Sequence, residues 1–144
     1  IHPYQGSYFN SLTGGLEGAH NNFDTDPHAL SVKEGVSWIN NNVGINETVL
    51  MPIGGDLGSY YIREDINFIR GKNNFGEYDL TSDIFDEYEG DLYIIYPNSE
   101  SLVGFLSINR PETIVYYLEK NHQPIHTIKK NNFDLFKIYK IELE

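Results

Sequence analysis

The sequence predicts an α/β protein, a single-domain sandwich with a mixed β-sheet, helices mainly on one face and a C-terminal β-hairpin. Three observations carry that expectation. Short apolar and β-branched runs bounded by Gly, Pro and Asn recur along the chain, which is the pattern of strands. Segments with helical periodicity and start signals lie between them, as in alternating α/β architectures. Alanine, the best helix former, occurs only at Ala19 and Ala29, so strands or short mixed elements are favoured over a bundle of long helices. The length of 144 residues fits one domain on a prior of about 100–200 residues per domain.

Taken in order, residues 1–27 are rich in Gly, Asn, Tyr and Phe without sustained periodicity and read as a looped opening segment, with the α/β body over residues 28–144. Ser31-Val32-Lys33-Glu34 has capping-box spacing, Val32, Val36, Ile39 and Val43 share one helical face with Trp38 beside them, and Asn40-Asn41-Asn42 with Gly44 stop the run. A helix over 31–42 follows, with Val36, Trp38 and Ile39 directed at the sheet. Thr48 to Ile53 reads as a short buried strand, after which Asp56 is placed to cap a brief helix through Tyr61. Ile66 to Ile69 reads as a second strand. The acidic stretch over residues 77–91 reads as a solvated surface segment with a helical turn near Ile84-Phe85. Leu92 to Tyr96 is a continuous apolar strand ended by Pro97-Asn98, and Pro111 can open a helix with Ile114, Tyr117 and Leu118 on its inner face. Ile125 to Lys129 and Leu135 to Ile141 alternate around Asn131-Asn132 as a hairpin, with Ile125, Thr127 and Lys129 opposing Phe136, Ile138 and Ile141 in residue type only.

Charge narrows the function. Ten Lys and Arg against 21 Asp and Glu give a formal net charge of −11, a field that repels phosphate backbones and anionic headgroups, so nucleic acid is not an expected partner. The chain has no cysteine, which removes disulfides, thiolate metal sites and thiol catalysis. The longest apolar runs, such as Leu92-Tyr93-Ile94-Ile95-Tyr96, fall far short of the ~20 residues that span a bilayer. A start at Ile1, without Met or a leader-like stretch, reads as a piece of a longer protein or a processed form.

The sequence has no Ser-His-Asp spacing, nucleophile elbow, Walker loop or paired-His metal helix. Gly54-Gly55-Asp56-Leu57-Gly58 follows a strand and precedes a helix, where backbone amides can meet a phosphate or where a tight turn is simply needed. In Asp24-Thr25-Asp26-Pro27-His28, alternate residues of an extended segment point the same way. Asp24, Asp26 and His28 could therefore converge on a divalent metal, the one cofactor that the residue pattern suggests, and D-x-D also suits metal-bound nucleotide sugars. The alternative is that Asp26 caps a turn opened by Pro27. His2, His20, His28, His122 and His126 are scattered and read as surface or hydrogen-bonded residues. Tyr60-Tyr61 and Tyr116-Tyr117 could stack on sugar rings or divide between core and surface.

A resemblance adds to this reading. His2-Pro3-Tyr4-Gln5, Tyr8-Phe9-Asn10, Gly14-Gly15, Gly18-Ala19, Phe23-Asp24-Thr25-Asp26 and the run Leu30 to Ile39 resemble the segment after the last membrane helix of dolichyl-phosphate-mannose protein mannosyltransferase-like glycosyltransferases of the GT-C superfamily. Thr48 to Pro52, Tyr60-Tyr61 with Arg63 and Asp65, Asp91 to Tyr96 and the closing Phe136-Lys137-Ile138-Tyr139 are similar to the rest of that tail. The family follows its Thr-Asp pair with an aromatic and a small residue, where this chain has Pro27-His28-Ala29. The resemblance implies an extracytoplasmic, non-catalytic domain of a multispanning membrane enzyme that moves a sugar from a polyprenyl-phosphate donor to a protein or lipid acceptor, its contribution being either acceptor recognition or the shaping of the active-site mouth. The catalytic acids of such enzymes lie between membrane helices, so the chain itself carries no catalytic residue on this reading. An independent extracellular carbohydrate- or peptide-binding module and a small metal-dependent enzyme built on Asp24, Asp26 and His28 are the other two readings.

Overall fold

A computed structural model describes residues 31–70, 82–98 and 113–143, with the backbone alone over 82–84. Five strands form one sheet in the order β2-β1-β3-β5-β4, comprising β1 (Thr48–Met51), β2 (Asn67–Arg70), β3 (Gly90–Pro97), β4 (His126–Lys130) and β5 (Phe133–Leu143). β1 runs parallel to β2 and β3, whereas β5 runs antiparallel to β3 and β4, so the sheet is mixed. Among the described residues three α-helices pack on it: α1 (Ser31–Asn42), α2 (Gly55–Gly58) and α3 (Ile114–Asn121); a 3-10 helix spans Ser82–Glu87, where the sequence predicts a helical turn.

α1 matches the expected bounds because its apolar stripe has a sheet face to cover. Val32, Val36 and Ile39 are fully buried, and they join Val49, Met51, Tyr93, Ile95, Ile128, Phe136 and Ile138 in a core on that face. Trp38 packs at the margin of this core, half-buried, with its ring stacked on His126 at 5.0 Å between centroids. The approach of α1 to β5 is close enough that a Cβ on Gly35 would stand 2.3 Å from the Phe136 ring. Ser31, also fully buried, donates from its hydroxyl to the Leu135 carbonyl at 3.0 Å.

The second core lies on the opposite face, where Leu50, Leu92, Ile94, Tyr96, Tyr139 and Ile141 meet Ile114, Val115 and Leu118 of α3. α1 and α2 thus share one face and α3 takes the other. Chain topology gives the reason. The β1-to-β2 crossover runs outward along the sheet and the β2-to-β3 crossover runs back, and right-handed crossovers in opposite directions lie on opposite faces. Phe85 and Tyr88, in the returning connection, pack against the α3 side accordingly.

Three local expectations are corrected. α2 is capped by Gly54, in the left-handed region at φ 74°, and Asp56 sits inside the first turn, where it pairs with Arg70 at 2.8 Å. α3 is capped by Thr113, whose side chain accepts from the Tyr116 amide at 3.3 Å; Pro111 lies outside the described residues. In the hairpin, Asn131 and Asn132 both take positive φ (49° and 70°), the two-residue turn that matches strand twist. That turn and a bulge between Ile128 and Lys129 set His126 opposite Ile138, Thr127 opposite Lys137 and Ile128 opposite Phe136. Ile128 is therefore the inward residue, and Ile125 is left 49% exposed.

Candidate functional site

Three places on the fold gather chemically useful groups. The first is the end of the sheet where β1 and β3 finish. The connection from β1 leaves towards β2 and that from β3 leaves towards α3, a reversal that opens a crevice in many α/β proteins. The Gly54-Gly55-Asp56-Leu57-Gly58 loop lies here, and a Cβ on Gly54 would meet the Pro97 ring at 3.5 Å. Each glycine has a packing reason. Gly54 supplies the positive φ, a Cβ on Gly55 would stand 2.4 Å from Arg70 Cβ, and one on Gly58 would stand 2.5 Å from Met51 Sδ. The sequence shows no basic residue near this loop, yet β2 delivers Arg70, a partner visible only once the register is known. Its guanidinium is taken by Asp56 rather than presented to an anion.

The second place is a polar cluster inside the α3 side of the sheet. Tyr96 on β3 donates to Glu119 Oε1 of α3 at 2.6 Å, Tyr139 Oη of β5 lies 3.3 Å from Tyr96 Oη, and Lys137 Nζ donates to both Glu119 oxygens at 3.0 and 3.1 Å. The alternation of β5 puts Lys137 and Tyr139 on this face with Phe136 and Ile138 on the other. Burial pushes the Tyr139 phenol up to about 12, and burial beside Tyr139 and Glu119 holds Tyr96 well above the usual phenol range. Two neutral phenols, a carboxylate and an ammonium thus satisfy one another. The arrangement clamps α3 to β3 and β5 and leaves little of its donor capacity for a ligand. Sequence periodicity marks Lys137 only as an alternating strand residue, and nothing local pairs it with Glu119.

The third place is the opposite end of the sheet, where β1 and β2 begin. Arg63 donates to the Asn40 carbonyl at 2.5 Å and the Val43 carbonyl at 2.9 Å and also pairs with Asp65, so it occupies the carbonyls that end α1. Asn40 closes the same junction by accepting from the Arg63 amide at 2.9 Å and donating to the Tyr61 carbonyl at 2.8 Å. This pins the loop bearing Tyr60 and Tyr61, which are 82% and 40% exposed. Tyr116 and Tyr117 are half-buried instead; Tyr117 packs on Phe85 and His122. An open depression of about 430 Å³ nearby is walled by Asn46, Glu47, Thr48, Glu89, Gly90 and Asp91.

Asp24, Asp26 and His28, the residues that could hold a divalent metal, lie outside the described residues, as do His2 and His20. Among the described residues no group of three His, Cys, Asp or Glu side chains is placed to hold a metal ion, and no helix is long and apolar enough to cross a membrane. His126 is committed to Trp38, and His122 Nε2 lies 3.3 Å from the Tyr117 hydroxyl. Comparisons with protein families, with characterised proteins and with solved structures each find no match.

Proposed function

We propose that this chain is a non-catalytic, extracytoplasmic domain of a membrane glycosyltransferase that uses a polyprenyl-phosphate-linked sugar, and that it holds a fixed surface beside the acceptor. The reading starts from the resemblance over residues 1–39. The observation that supports it most is the seating of α1, where the Leu30 to Ile39 run ends. Three fully buried apolar residues, the Ser31 hydrogen bond to β5 and the Arg63 junction fasten this helix at both ends. A domain that positions an acceptor needs such a rigid attachment, since a loose one leaves its surface without a defined place. The saturated Tyr96, Tyr139, Glu119 and Lys137 cluster fits a scaffold rather than a centre of chemistry.

The test compares two samples with a radiolabelled polyprenyl-phosphate sugar and a peptide or lipid acceptor. Membranes carrying the natural gene product transfer the label and the purified chain does not. Turnover by the purified chain, or a natural product that never fractionates with membranes, contradicts the proposal.

One observation favours a second reading, an independent carbohydrate- or peptide-binding module. Tyr60 and Tyr61 stand exposed on a pinned loop, the form of an aromatic platform for a sugar ring. Saturable quenching of tyrosine emission by an oligosaccharide, lost in Tyr60→Ala, would promote this reading; unchanged emission would remove it.

A further inference from the structure

We infer that Asn46 is an N-glycosylation acceptor, modified before the domain folds. This rests on the extracytoplasmic reading proposed for the chain. Asn46-Glu47-Thr48 is the only Asn-x-Ser/Thr in the sequence, and Glu47 at its centre is not proline. Asn46 is exposed in a two-residue turn at φ 62°, a left-handed position that asparagine tolerates. Its backbone amide donates to the Asp65 carbonyl at 2.8 Å, which holds the turn, while its side-chain amide has no hydrogen-bond partner among the described residues. The Glu47 carboxylate is drawn back to accept from the Gly44 amide at 3.0 Å and so leaves the asparagine side uncovered.

The depression beside Asn46 suits a first sugar. Its walls carry the carboxylates of Glu47, held by the Gly44 amide, of Asp91, paired with Lys140 at 3.0 Å, and of Glu89, which can accept from sugar hydroxyls, and Gly90, where even an added Cβ would meet nothing within 4 Å. A glycan on this side chain therefore displaces no core residue and leaves the bonds from Asn46 to Asp65 and from Gly44 to Glu47 in place. The reaction is balanced by a polyprenyl-pyrophosphate-linked oligosaccharide as donor, acted on by an oligosaccharyl transferase. The Asn46 amide nitrogen bonds to the anomeric carbon, the bond from that carbon to phosphate oxygen breaks, polyprenyl pyrophosphate leaves, and the displaced amide proton passes to the transferase's base.

Timing follows from Thr48. Its backbone sits in β1 between Asn67 of β2 and Leu92 of β3, and its hydroxyl accepts from the Asn67 side chain at 3.2 Å. In the folded domain the third residue of the sequon is thus committed to the sheet, whereas a transferase must engage it along with the asparagine. The nascent chain is the substrate.

The experiment expresses the chain behind a cleavable leader in a eukaryotic secretory host and measures its mass before and after amidase removal of N-glycans. The wild type is expected to carry one glycan, with Asn46 converted to Asp on its removal. Asn46→Gly, which keeps the left-handed turn, abolishes the shift with an unchanged melting profile, Thr48→Ser retains it, and the refolded, unmodified chain is not modified by microsomes added afterwards. A secreted, folded wild type with unmodified Asn46 overturns the inference, and efficient modification of the refolded chain overturns its timing. Finding the natural gene product only in the cytoplasm contradicts the extracytoplasmic reading without altering the acceptor result, so the two failures are distinguishable.

Discussion

At the scale of single residues, the Glu119 carboxylate carries more than its half-buried position suggests, because it accepts from Tyr96 and from Lys137 at once. Replacing it with alanine strands a phenol and an ammonium, each in a largely buried setting. Glu119→Ala is expected to lose about 1–3 kcal/mol in a denaturant titration, the cost of leaving buried polar groups unpaired. The phenols of the same cluster set the alkaline limit. Their folded-state pKa values lie above the ordinary value of about 10, so the native state holds these protons more tightly than the unfolded chain. Stability from this source is full below pH ~10 and is lost as pH rises through ~12. Ultraviolet titration should show a late phenolate step from this cluster that coincides with loss of helical circular dichroism. A late step well before unfolding would mean the cluster opens on its own. Trp38 belongs at this scale too. Being half-buried against His126 rather than enclosed, Trp38→Ala should cost about 2 kcal/mol, below the ~3–5 kcal/mol of a fully buried ring.

Among the elements, α1 gives the sharpest prediction. A glycine inside a helix ordinarily costs about 0.5–1 kcal/mol relative to alanine, so Gly35→Ala would be expected to stabilise. Here the added Cβ would stand 2.3 Å from Phe136, a fully buried ring that has nowhere to retreat. Overpacking of about 1–3 kcal/mol outweighs the helix gain, and the variant should melt lower than wild type. A higher melting temperature would mean that α1 and β5 do not approach this closely. The helix itself was legible in the sequence, since Val32, Val36, Ile39 and Val43 carry its period and Asn40 to Gly44 its end. β3 was legible for the same kind of reason, as an unbroken apolar run buried on both faces. What local pattern could not supply was partnership across distance. The fold alone sets Arg63 against the end of α1, Arg70 beside Asp56 and Lys137 against Glu119, and no pattern local to any of these residues names its partner. The hairpin was recognisable from Asn131-Asn132, but its register depends on the bulge at Ile128/Lys129, which leaves no local mark.

At the scale of the whole molecule, a mixed sheet is covered on both faces, its inner polar cluster is satisfied, and the segment up to Ile39 ends in a helix built into the core. The most direct test of that central claim is native-state hydrogen exchange, residue by residue, on the purified chain. If α1 fixes that segment to the sheet, the amides of Val36 to Val43 exchange only through global unfolding, with the same free energy as those of Ile94 and Ile95 in β3 and with protection of about a thousandfold or more. Exchange of α1 with little protection, while β3 stays closed, would show a helix that detaches by itself and would contradict both the rigid attachment and the positioning role built on it.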